Sequence, residues 1–188
     1  MGCLPHLRRE RTNYIFIVLF MTPTERRASS PSPTFGSGLS AAEPYLRVLH
    51  VNDSVDDQVL FQAACRRGQV PFNWHVADSA DKAVQYLNTL VEQSKRVPVC
   101  WPDVVLLDIV MPMASGFEVL KFIRATPALR RLPVVILTGH PYPNNEEESM
   151  RLGANGFLIK PGDFLEIVEL AKNLYQLIKG MREGGSAS

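Results

Sequence analysis

Two acids, a hydroxyl and a cation recur along this chain in one kind of position, directly after short runs of β-branched and apolar residues. Asn52 and Asp53 follow the run Arg47 to Val51, Asp108 follows Val104 to Leu107, Thr138 follows Val134 to Leu137, and Lys160 with Pro161 follows Gly156 to Ile159. Each has an ordinary reading by itself. Asp53 suits a helix cap, with Asp56 and Asp57 favourable at the positive end of the helix that follows. Thr138 suits a turn before Gly139, Asp108 a turn before Met111-Pro112, and Lys160 a solvated loop. None of these readings accounts for the recurrence at four run ends. The joint chemistry is phosphoryl transfer to a carboxylate, with Asp108 as nucleophile and an aspartyl phosphate as product. A carboxylate attacking an anionic phosphoryl group is repelled, so a hard cation is required. Asp53 and Asp108 supply the oxygen ligands that Mg²⁺ prefers. Lys160 is expected to pair with the phosphoryl oxygens from the other side, and Thr138 to donate its hydroxyl to them and shift as it does so.

The runs must be strands for this to work. From Tyr45 onward, apolar runs at 47–51, 73–77, 104–107, 134–137 and 156–159 alternate with helical patterns at 55–67, 80–93 and 117–125, a fourth starting near Glu146, and a last from Phe164 to about Lys179. The last one places Phe164, Ile167, Val168, Ala171, Leu174, Tyr175 and Ile178 at spacings of three and four, a core-facing stripe. Such alternation specifies an α/β fold, a doubly wound parallel sheet of five strands and five helices. In that architecture ligands collect beyond the carboxyl ends of the strands, where these polar residues fall.

With 188 residues, 46% of them hydrophobic, the chain suits one domain plus extensions. The domain is expected at 45–180, after a disordered leader at 1–44 and before a flexible tail at 181–188. No output domain is expected after it. The apolar run Tyr14 to Met21 is far shorter than the roughly 20 residues that span a bilayer. Met21 is also a plausible start of translation, and His6 breaks a myristoylation motif after Gly2. A net charge of +1, with Lys and Arg scattered, argues against direct nucleic-acid binding. Cys3, Cys65 and Cys100 lack disulfide or zinc spacing, which fits a cytoplasmic setting.

The runs Val51-Asn52-Asp53, Val104 to Pro112 with Gly116, Leu137-Thr138-Gly139 and Gly153 to Pro161 together resemble the receiver domain of bacterial response regulators. The resemblance covers about 45–180. It implies a flavodoxin-like sheet in the order 2-1-3-4-5, and a signalling domain, not an enzyme. The implied phosphodonor is a phosphohistidine on a sensor histidine kinase or a histidine phosphotransfer protein, and the implied output is contact with a downstream protein. It further implies metal ligation by Asp53, Asp108 and the backbone carbonyl of Val110, with Asn52 acting indirectly, an aromatic switch at Phe157, and a cis peptide at Lys160-Pro161. The segment Val91 to Pro102 and the phrase Leu129 to Pro133 look like the single-domain receivers that accompany phytochrome-type kinases.

One departure stands out: the family places two acids after the first strand, and the first is here Asn52. A receiver that docks without being phosphorylated is therefore the alternative. A hydrolase of the haloacid-dehalogenase kind would need an acid where Val110 stands, and no GxxxxGK[ST], HExxH or GxSxG motif occurs. In receivers, the side chains two residues after the phosphorylated Asp and two after the Thr flank the attacking water. Here they are Val110, which cannot position water, and His140, which can.

Overall fold

The computed structural model describes residues 45–184, apart from 113, 114, 141 and 143. The expected leader, and the tail beyond 184, lie outside the described residues. Five strands, β1 (Leu46–Val51), β2 (Phe72–Ala77), β3 (Val104–Leu107), β4 (Val134–Thr138) and β5 (Gly156–Ile159), alternate with five helices. The helices are α1 (Val55–Arg67), α2 (Ala80–Ser94), α3 (Gly116–Ala125), α4 (Asn145–Arg151) and α5 (Phe164–Gly184). All pairings are parallel and the order is β2-β1-β3-β4-β5, the expected doubly wound sheet.

The strands are near-continuous apolar runs because helices cover both faces of the sheet. On one face Val48, Leu106 and Leu137 pack against Phe61 and Ala64 of α1 and Val168, Ala171 and Leu174 of α5. On the other, Leu49, Val105, Leu107 and Ile136 pack against Leu87 of α2 and Val119, Leu120 and Ile123 of α3. Period-two alternation along β1 puts His50 on the first face with Leu46 and Val48. It is 1% exposed, its ring centroid 5.8 Å from that of Phe61 and 5.7 Å from that of Trp74, and its Nδ1 has no hydrogen-bond partner among the described residues.

Helix starts follow from capping: the hydroxyls of Ser54, Ser79 and Ser115 accept from the backbone N–H groups of Asp57, Lys82 and Phe117. Gly116 opens α3 because the backbone of the preceding loop lies against it. A Cβ there would stand 2.9 Å from Ile109 Cα and overlap the Asp108 carbonyl oxygen. At the end of α3, Arg124 gathers two loops, the one before β4 and the one before β5. Its guanidinium donates to the carbonyls of Gly153 (2.8 Å), Arg130 (3.3 Å) and Leu132 (2.8 Å) and to Asn155 Oδ1 (2.9 Å). Asn155 Oδ1 also accepts from Val134 N at 2.9 Å, tying the start of β4 into the same group.

Two expectations are corrected. The last helix runs past its expected end near Lys179 to Gly184, so 181–184 are helical and not tail. Gly180 costs an exposed helix only about 1 kcal/mol, and no proline follows to stop it. There is no cis peptide among the described residues, so Lys160-Pro161 is trans, the form X-Pro bonds favour intrinsically. The lysine reaches its partners from that conformation.

Candidate functional site

The strand order brings the ends of β1 and β3 side by side, the point in such a sheet where a crevice opens. Val51 pairs with Leu107, and Asp108 N donates to Val51 O at 2.9 Å, so the residues just beyond each strand are neighbours. Asp108 is 6% exposed. Its two carboxylate oxygens differ. Oδ1 accepts from Val110 N at 3.1 Å, while Oδ2 accepts from Lys160 Nζ at 3.0 Å and from Asn52 Nδ2 at 3.4 Å. Oδ1 is the less encumbered oxygen.

Lys160 comes from the far side of the sheet. Thr138 pairs with Ile159, Lys160 N donates to Thr138 O at 2.8 Å, and the aliphatic stem then crosses toward β3. Only 13% of the side chain is exposed, and its ammonium has a second anionic partner, Asp57 Oδ2, at 2.8 Å. Burial pushes the Asp57 carboxyl up, but the hydrogen bond and charge of Lys160, with help from the Asn52 amide, hold it below the usual aspartate value.

Asn52 is 1% exposed and fixed by three contacts. Its Oδ1 accepts from Ser54 N at 2.8 Å, its carbonyl accepts from Gln58 Nε2 at 2.6 Å, and its amide nitrogen is thereby left facing Asp108. At this position the amide donates a hydrogen bond to the carboxylate, where a second acid would repel it.

Of the expected site residues, the structure thus gathers Asp108, Lys160 and Asn52. Asp53 is half-buried in the same loop, and Val110 is 38% exposed beside Asp108. Thr138 is fully buried, and its Oγ1 accepts from His140 N at 3.2 Å, so the turn-capping role is present too. Among the described residues no hydrogen bond joins Thr138 Oγ1 or Asp53 to Asp108. His140 is exposed, and Phe157 is packed inward at 6% exposure among Ile136, Leu132 and Ala154. Asp57 is the residue that sequence reasoning missed; the signal for it was an extra pair of acids, Asp56 and Asp57, close behind a position where an acid is lacking.

Among the described residues no three His, Cys, Asp or Glu side chains converge as a closed metal site. Carboxylate and carbonyl oxygens, such as those of Asp53, Asp108 and Val110, are the donor type that Mg²⁺ prefers, and this ion commonly keeps several waters and uses one or two carboxylates. Among the described residues no helix is long and apolar enough to cross a membrane.

A family model described as response regulator receiver domain matches residues 48–172. The chain is 34% identical over 128 residues to two-component response regulator ORR1 of Oryza sativa subsp. indica, covering 67% of this chain and 54% of that protein. The chain thus spans about half the length of that rice relative. It is 30% identical over 158 residues to two-component response regulator ARR6 of Arabidopsis thaliana, covering 84% of this chain and 81% of that protein. Two solved structures are similar. The Mn²⁺-bound form of response regulator Rcp1 has a TM-score of 0.58 and 26% identity over 69% of this chain and 91% of that one. The phosphorylated cyanobacterial phytochrome response regulator RcpA has a TM-score of 0.55 and 27% identity over 77% of this chain and 96% of that one.

Proposed function

The chain belongs to the response regulator receiver domain family, and from that premise we propose that it accepts a phosphoryl group on Asp108 from a sensor histidine kinase or a histidine phosphotransfer protein. In the transfer, the P–N bond of the donor's phosphohistidine breaks, a P–O bond to Asp108 forms, and the donor imidazole keeps the electron pair. The observation that carries this reading is the buried Asp108 carboxylate sharing one oxygen with Lys160 and Asn52 at the β1/β3 crevice. Asp53, Asp108 and the Val110 carbonyl would hold Mg²⁺, which when bound neutralises charge between carboxylate and phosphoryl group. Lys160 remains beside the incoming oxygens as a fixed cation. Thr138 has a hydroxyl proton to donate, and turning it toward the phosphate gives up the bond from His140 N, which couples phosphorylation to the β4–α4 loop. The product then signals through contact with a downstream protein, in a cytoplasmic setting where kinases present phosphohistidine. The likeness to phytochrome response regulators supports a kinase of that class as donor.

The experiment is incubation of the full chain with acetyl phosphate and Mg²⁺, followed by intact mass. Gain of one phosphoryl group is expected. If neither acetyl phosphate nor a phosphorylated phosphotransfer protein loads the chain, it is a docking module that works unphosphorylated, the reading that Asn52 favours.

Two expected results concern the pocket. Asn52→Asp restores a carboxylate within Coulombic reach of the ion, so Mg²⁺ should bind tighter by about tenfold. A titration with equal or weaker affinity would count against the metal site. Val110 is apolar and 38% exposed, so water reaches this edge without a side chain to position it. Val110→Asn should speed loss of the phosphoryl group on the order of tenfold. Equal decay rates in matched Mg²⁺ and pH would show that this position does not set the lifetime.

A further inference from the structure

We propose that Asp57 is a positioning residue for this transfer: its carboxylate holds the Lys160 ammonium beside Asp108 and supplies the negative charge that Asn52 lacks. The proposal rests on the reading of Asp108 as phosphoacceptor.

The first turn of α1 is fastened to the loop after β1. Ser54 Oγ accepts from Asp57 N at 3.2 Å, and Gln58 Nε2 donates to Asn52 O at 2.6 Å. This fixes which of two adjacent acids faces the pocket: Asp56 is exposed, whereas Asp57 is half-buried with Oδ2 at 2.8 Å from Lys160 Nζ. Asp108 Oδ2 lies at 3.0 Å from the same nitrogen. An ammonium has three N–H donors. With two directed at fixed carboxylates, the third direction is fixed as well, and Lys160 is held ready for an oxygen arriving at Asp108. Without Asp57, the flexible four-carbon stem would be anchored by Asp108 alone, the group that must change during transfer.

Charge points the same way. The Asn52 amide donates to Asp108 Oδ2 and also lowers the proton affinity of Asp57. An acid at 52 would face two carboxylates, whereas an acid at 57 reaches the nucleophile only across the lysine. Asn52 and Asp57 therefore form a complementary pair, with the second acid relocated from the loop to the helix.

The test compares the wild-type chain with Asp57→Asn, Asp57→Glu and Asn52→Asp/Asp57→Asn, with circular dichroism confirming that each is folded. Acetyl phosphate is varied at fixed Mg²⁺. Asp57→Asn should lower the maximal rate about tenfold with little change in half-saturating donor concentration, since it displaces a group acting on the transition state. Asp57→Glu should recover part of that loss, and the double variant most of it. A second measurement is the ¹H–¹⁵N signal of the Lys160 ammonium without phosphodonor, expected in the wild type and lost to exchange in Asp57→Asn. An Asp57→Asn variant that keeps both the wild-type rate and the ammonium signal would overturn the proposal. So would a slow variant that neither Asp57→Glu nor the double change improves. A wild-type chain that takes up no phosphoryl group would instead overturn the role of Asp108, and the ammonium signal would still decide that of Asp57.

Discussion

Asp108→Asn should take up no phosphoryl group from acetyl phosphate under conditions that load the wild type, and peptide mapping should find none on any other residue. The amide has nearly the shape of the carboxylate but no anionic oxygen to attack phosphorus, so the effect is loss and not slowing. The three donors around the group make the substitution informative. Val110 N faces Oδ1, while Lys160 Nζ and Asn52 Nδ2 face Oδ2. An amide can turn only one oxygen toward them, so its NH₂ must meet a donor. That mismatch costs about 1 to 3 kcal/mol, and Lys160 keeps Asp57 as partner, so the variant should fold while failing to react. Phosphoryl uptake by the folded variant, at any residue, would refute the assignment of Asp108.

The second large effect concerns stability against pH and arises at His50 within β1. Burial lowers the pKa of His50 from 6.5 to about 4, the Lys160 charge adds to this, and Asp108 and Asp57 oppose it more weakly. His50 is therefore neutral in the folded chain and protonates near 6.5 in the unfolded one. Between those values the unfolded state binds more protons, so folding weakens as pH falls from about 6.5, and the loss is complete below about 4. The gap corresponds to about 3 kcal/mol at about 1.4 kcal/mol per pH unit. His50→Leu removes both this proton site and the unpartnered Nδ1. In urea titrations without Mg²⁺, the wild type should lose about 3 kcal/mol more than His50→Leu between pH 7 and pH 4. Parallel pH profiles would show that His50 does not carry the acid sensitivity.

The elements that position the site could be read from the chain because their signals are local. Val104 to Leu107 is apolar throughout, as a strand covered on both faces must be, and α1 covers the helical pattern expected at 55–67. Asp108, Lys160 and Asn52 followed from their places just past strand ends. Asp57 did not, since in sequence it is equivalent to Asp56 in the first turn of a helix. What separates them is how that turn sits against the sheet, and a lysine 103 positions away that reaches it. His50 was equally hidden: period-two alternation marks it as a core position, but only the packing of Phe61 and Trp74 reveals an imidazole without a partner. The end of α5 was misjudged because a glycine permits a stop without imposing one.

The Arg124 group also bears on ionic strength. Pairs such as Lys82–Asp78 and Lys95–Glu92 lie in solvent and join opposite charges, so added salt screens them. Arg124 is held by carbonyl oxygens and an amide oxygen, all neutral, in a setting where burial makes its charge harder to keep. Mobile ions cannot replace short dipolar contacts of that kind. In concentrated salt the surface pairs fade while the junction of α3 with the segments entering β4 and β5 persists, and the end of the sheet opposite Asp108 keeps its shape.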